Sequence, residues 1–178
     1  MRAYNNALNV VLSIFIDDYN KNKFIPILES DIVSHFYHIW ADQYGSTQIH
    51  LETRICSIPG YFFDIVIGAV NRDYEKPCID EPELVVEMKF FVKGFAPQQL
   101  RRRFIKVLDD DIPKLATLNK PKENRYIILF DEVGYLRGNR RNDPKTRLEN
   151  IQNIRDRTDG KIRIILMEKT DILRYFLF

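Results

Sequence analysis

Two carboxylates and an ammonium stand where charge is costly. Asp64 is the only charged residue between Pro59 and Arg72, and it interrupts the apolar run YFFDIVIGAV. An isolated buried carboxylate costs several kcal/mol or takes up a proton, so it requires a partner, a metal or a cleft open to water. The segment ELVVEMKFFV repeats the anomaly. By strand alternation Leu84, Val86, Met88 and Phe90 share one apolar face, and Val85, Glu87, Lys89 and Phe91 share the other. Glu87 and Lys89 then point the same way, roughly 7 Å apart. If the two segments are neighbouring strands, Asp64 and Glu87 converge. Two such carboxylates repel unless a cation lies between them. Mg2+, or Mn2+ in its place, suits oxygen ligands and leaves room for water and a phosphate oxygen. The lysine would orient the attacking water or neutralise charge developing at phosphorus.

The elements that must position these groups follow from periodicity. Residues 3–20 and 28–44 carry helical apolar spacing, the second through Ile32, Val33, Phe36, Ile39 and Trp40, with Gly45 as its stop. Residues 48–56 alternate as a strand. Residues 61–70 and 83–92 form two more strands, with a turn at Pro59-Gly60 and a polar loop over 71–82. Pro97 opens a helix over 98–118. Strands over 124–131 and 161–168 follow, separated by a basic loop and a short helix near 145–157. Short links predict an antiparallel meander for the first three strands, and the long helix predicts a parallel crossover to the fourth. The expected architecture is a three-layer α/β/α sandwich around a mixed, roughly five-stranded sheet, in one domain spanning 1–178.

The order αβββαβ, with Asp64 on one apolar strand and Glu87-Met88-Lys89 on the next, resembles the PD-(D/E)XK nuclease superfamily over roughly residues 26–131. Phe63 stands where that motif has proline. The resemblance implies Mg2+-dependent hydrolysis of DNA phosphodiesters, with Asp64 and Glu87 as metal ligands and Lys89 as the catalytic cation. It also implies an acid from the preceding helix, and Glu29 holds that place in order. The same fold without catalysis would be a nucleic-acid or protein interaction module.

Other signals are weaker. Arg137, Arg140, Arg141 and Lys145 lie in a loop with five basic groups against one acid, as expected for contact with a DNA backbone. Arg101, Arg102, Arg103 and Lys106 decorate the long helix, where Asp109, Asp110 and Asp111 offset them. Gln98 and Gln99 suit a first helical turn as well as a substrate contact. Glu52 fits a solvated strand face. His35 and His38 lack a third ligand. No P-loop, dinucleotide-binding or nucleophile-elbow motif occurs.

The formal net charge of +2 decides nothing about partners. No apolar run approaches the ~20 residues of a membrane span, and the first twenty residues suit a helix better than a leader. The two cysteines, Cys56 and Cys78, are expected as reduced thiols in a cytoplasmic protein. The aromatic tail with Tyr175, Phe176 and Phe178 suggests a homodimer contact.

Overall fold

The computed structural model describes residues 2–58, 60–72, 77–119, 124–136, 152–154, 156–168 and 171–173, with the backbone alone at 2, 3, 5, 168 and 171–173. Two helices open the chain, α1 (Arg2–Asn20) and α2 (Glu29–Tyr44). At the start of α2, Asp31 Oδ2 accepts the Ile27 and Leu28 N–H groups, at 2.8 and 2.7 Å. Gly45, at φ +87°, ends the helix in a conformation that suits glycine.

The sheet has six strands: β1 (Ile49–Thr53), β2 (Phe63–Ile67), β5 (Leu84–Phe91), β6 (Arg125–Asp131), β7 (Arg163–Glu168) and β8 (Asp171–Leu173), neighbours in that order. The pairs β1–β2 and β2–β5 are antiparallel, β5–β6 and β6–β7 parallel, and β7–β8 antiparallel. The five expected strands are present, the first four in the expected directions, and β8 adds a short sixth from the segment read as tail. The region read as a polar loop holds a small hairpin, β3 (Val70–Asn71) with β4 (Cys78–Ile79).

Helices cover both faces. On one side α1 and α2 pack Leu12, Phe15, Phe36 and Trp40 against Ile65, Val86, Phe90 and Phe130. On the other lies a single helical rod composed of α3 (Pro97–Lys106), a π-helical stretch (Val107–Asp111) and α4 (Ile112–Ala116). It packs Leu100, Phe104, Val107, Ile112 and Leu115 against Val85, Phe91, Ile127 and Leu129, and Ile154 joins the same cluster. Each such side chain contributes about 2 kcal/mol through burial. Tyr19 ties α1 to the end of the sheet by donating to Glu132 Oε1 at 2.7 Å, while Lys93 N–H donates to Oε2 at 3.0 Å.

The π-helical stretch has a local cause. Pro113 has no N–H and cannot complete the usual bond to the carbonyl four residues before it. The helix loosens ahead of it, and Ile112 N–H bonds Val107 O, five residues back.

The structure corrects the reading of the cysteines. Cys56 and Cys78 form a disulfide, with Cα atoms 5.3 Å apart. It clips β4 to the segment after β1, where Cys56 N–H also bonds Ile79 O and Ile79 N–H bonds Arg54 O, both at 2.9 Å. The spacing of the two residues gave no sign of this, because docking of the hairpin brings them together.

Candidate functional site

The site lies where β2 and β5 part. Their register runs through Ile67–Leu84, Val66–Val85 and Ile65–Val86 and stops there, although β5 continues beside β6 to Phe91. Side chains fill the gap. Met88 N–H donates to Asp64 Oδ2 at 2.7 Å, and Asp64 N–H donates to Glu87 Oε1 at 3.4 Å. Each carboxylate is therefore tied to the backbone of the opposite strand across the fork.

Lys89 follows on the same face of β5, 4 % exposed. Its Nζ stands 3.1 Å from Glu29 Oε1, 3.5 Å from Asp111 Oδ2 and 4.0 Å from Asp64 Oδ2, and it donates to Met88 O at 3.1 Å. Glu29 is the first residue of α2 and comes to Lys89 from the other layer of helices. Its second oxygen is 2.5 Å from Arg103 Nη1 of α3. Glu87, 1 % exposed, meets a second ammonium, Lys114 of α4, at 2.5 Å. Lys114 also donates to Phe62 O at 2.8 Å.

These groups line a cavity of about 350 Å³, with Tyr61, Phe62, Lys106, Asp109, Asp110 and Pro113 on its walls. Six carboxyl side chains face it against three lysines. A polyanion is repelled by such a lining unless cations are added to it. A second cavity of about 290 Å³ opens by the far end of β2, among Tyr4, Trp40, Tyr44, Thr47 and Gln48, with no charged residue in its wall. Acid–base chemistry belongs to the first.

The electrostatics follow from burial. Burial lifts the Glu87 carboxyl from 4.5 to about 8, with Asp64 adding to the rise and Lys114 opposing it. The 2.5 Å contact argues for an ionised pair, but loss of water outweighs one ammonium, so a raised value is the physical expectation. Burial also raises Asp111, against the pull of Lys89 and Lys114. For Lys89 burial acts downward, but Glu29, Asp64, Asp111 and Glu87 together hold its pKa above the ordinary lysine value.

The structure thus brings Asp64, Glu87, Lys89 and Glu29 into one cluster. Asp64 and Glu87 offer hard oxygens at one fork, and burial disfavours the Glu87 charge even with Lys114 beside it, so a divalent ion, Mg2+ or Mn2+, suits this pair. Glu29 has both oxygens on cations, which makes it the anchor of Lys89 and Arg103 in this arrangement. Among the described residues, no three His, Cys, Asp or Glu side chains stand ready-made around one metal position.

Asp111 and Lys114 were not singled out as site residues by the sequence. A signal existed: Asp111 is four residues beyond Val107 and four before Leu115, on the buried stripe of the rod. Gln99 is structural, its Oε1 capping Ala96 N–H at 2.8 Å, and Gln98 is exposed. Glu52 is exposed at φ +45°. His35 stacks on Phe24 with ring centres 4.1 Å apart and pairs with Asp18 at 3.3 Å, pinning α1 to α2. Arg137, Arg140, Arg141 and Lys145 lie outside the described residues, as do Tyr175, Phe176 and Phe178. No helix among the described residues is long and apolar enough to cross a membrane. No protein-family model, curated protein or solved structure matches the chain.

Proposed function

We propose that the protein is a metal-dependent nuclease that hydrolyses DNA phosphodiester bonds. The observation that carries this reading is the pair of backbone-tied carboxylates, Asp64 and Glu87, with Lys89 beyond them at the fork of β2 and β5. Asp64 and Glu87 would hold Mg2+ or Mn2+, with Glu29 able to join only by releasing its cations. Once bound, the ion supplies Lewis acidity toward a phosphate oxygen and a more acidic water.

The chain's own groups do the rest. Lys89, buried and held above its usual pKa, keeps its proton and presents a fixed positive charge to the phosphoryl group. Glu29 and Asp111 restrict where that ammonium can sit. Met88 N–H fixes the orientation of Asp64. The basic residues Arg137, Arg140, Arg141 and Lys145 would contact the DNA backbone at a distance. A homodimer is part of the same proposal, through the aromatic tail with Tyr175, Phe176 and Phe178.

The cytoplasm is the proposed site of action. There thiol pools keep most cysteines reduced. Thiol trapping in rapidly quenched cells would read the state of Cys56 and Cys78, and a fully oxidised pair would move the protein to an oxidising compartment.

Cleavage of plasmid and single-stranded DNA with Mg2+ or Mn2+ tests the activity. Wild type is expected to cut, and Glu87→Ala and Lys89→Ala to lose the activity. Cutting that survives both substitutions removes these residues from the mechanism. A second reading is an interaction module that has lost catalysis. It is favoured by the ammonium groups already seated on the acids. It predicts salt-sensitive DNA binding without metal uptake or cleavage, which calorimetric titration with Mn2+ distinguishes.

A further inference from the structure

Lys114 has no part in the reaction as derived above, yet the contacts of its ammonium lie on the residues that frame the carboxylate pair. It meets Glu87 at 2.5 Å and the Phe62 carbonyl at 2.8 Å, and its ammonium lies 4.9 Å from the centre of the Phe63 ring. Phe62 and Phe63 immediately precede Asp64. An ammonium on Glu87 Oε1 and a divalent ion bound by the same carboxylate share one negative charge, and their like charges repel at such range.

Lys89 and Lys114 differ in how firmly they are held. Lys89 is enclosed by Glu29, Asp64 and Asp111. Lys114 has one acid and one carbonyl, and its side chain is 13 % exposed against 4 % for Lys89. Lys114 is therefore the cation that gives way. Its long flexible stem also keeps a released ammonium near the cavity wall, where a substrate phosphate would enter.

We propose that Lys114 is an exchangeable counter-ion: it neutralises Glu87 in the metal-free protein, leaves when a divalent cation binds the Asp64–Glu87 pair, and then holds a phosphate oxygen of the substrate. This rests on the nuclease reading. It makes Lys114 a substrate-binding residue that is available only after metal has bound, so metal loading and substrate capture are coupled through one side chain.

Calorimetric titration of the full chain with Mn2+, without DNA, tests the exchange. Lys114→Met removes the competitor and is expected to bind Mn2+ about tenfold more tightly than wild type, a coupling of ordinary size. Equal or weaker binding by the variant, beside measurable binding by wild type, overturns the inference and leaves the nuclease reading standing. No Mn2+ uptake by wild type overturns both. Loss of the cation beside buried Glu87 can unfold the variant, so the exchange is also read in wild type. Labelling of Lys114 by an amine-reactive reagent, followed by mass spectrometry, is expected to rise about tenfold with Mn2+. It is then expected to fall when a phosphorothioate oligonucleotide occupies the cleft. Labelling unchanged by bound Mn2+ overturns the exchange, and labelling unchanged by bound oligonucleotide overturns the phosphate contact.

Discussion

Glu87→Gln removes the most heavily buried ionisable group of the cleft and leaves its shape almost unchanged. In the unfolded chain this carboxyl titrates near 4.5, and in the folded protein burial, then Asp64, lift it to about 8. Between those values the native state binds more protons than the unfolded state, so stability falls as pH rises. The contribution is fully present below 4.5 and is lost on passing about 8. At ~1.36 kcal/mol per pH unit, that window is worth at most about 5 kcal/mol, with the opposing pull of Lys114 already included. Urea unfolding at pH 5 and pH 8.5 measures it. Wild type is expected to lose several kcal/mol between the two, and Glu87→Gln to lose much less, so the variant gains on wild type as pH rises. Added Mg2+ at pH 8.5 should restore wild type and leave the variant unmoved. Parallel stability curves for the two proteins would refute the view that burial of this carboxyl dominates the electrostatics of the cleft.

Three further outcomes follow from the geometry. Cys56→Ser with Cys78→Ser opens a loop closed by residues 22 apart and should cost about 3 kcal/mol in chemical denaturation under non-reducing conditions. Gly68→Ala places a Cβ 2.8 Å from Ile79 Cγ2 and 3.0 Å from the backbone oxygen of Glu81, which cannot swing away. A loss of about 1–3 kcal/mol and a lower melting temperature are expected, and an unchanged Tm would show that the hairpin can shift. Lys89→Met leaves Glu29, Asp64 and Asp111 facing one another and should destabilise by about 3 kcal/mol at pH 7, with the deficit shrinking in acid as the carboxyls protonate. A deficit that stays constant down to pH 4 would count against that cause.

Strands β2, β5 and β6 were readable because they are buried on both faces, so a charge within them stands out. Asp64, Glu87 and Lys89 were found in this way, and the alternation of β5 put Glu87 and Lys89 on one face as observed. The directions of the first four strands followed from link lengths. The remainder depended on tertiary placement. Asp109, Asp110 and Asp111 form one run of acids, and only the spacing from Val107 and Leu115 separates Asp111, which the rod buries, from the other two, which stay exposed. Lys114 acquires its place from the π-helical stretch that Pro113 imposes, which straight helical counting does not anticipate. The hairpin of β3 and β4 has two-residue strands, too short for any period to register. Its docking on the segment after β1 is what pairs the cysteines.

The fork between β2 and β5 is held apart by the side chain that would do the chemistry. Asp64 Oδ2 takes the Met88 amide, an amide that an unforked antiparallel ladder would keep between main chains. Asp64 is thus a wedge as well as a proposed metal ligand. Truncation to alanine removes both functions and lets the two strands zip further, narrowing the mouth. Asparagine keeps an oxygen for the amide and discards only the charge, so comparing the two substitutions separates the aperture from the chemistry inside it.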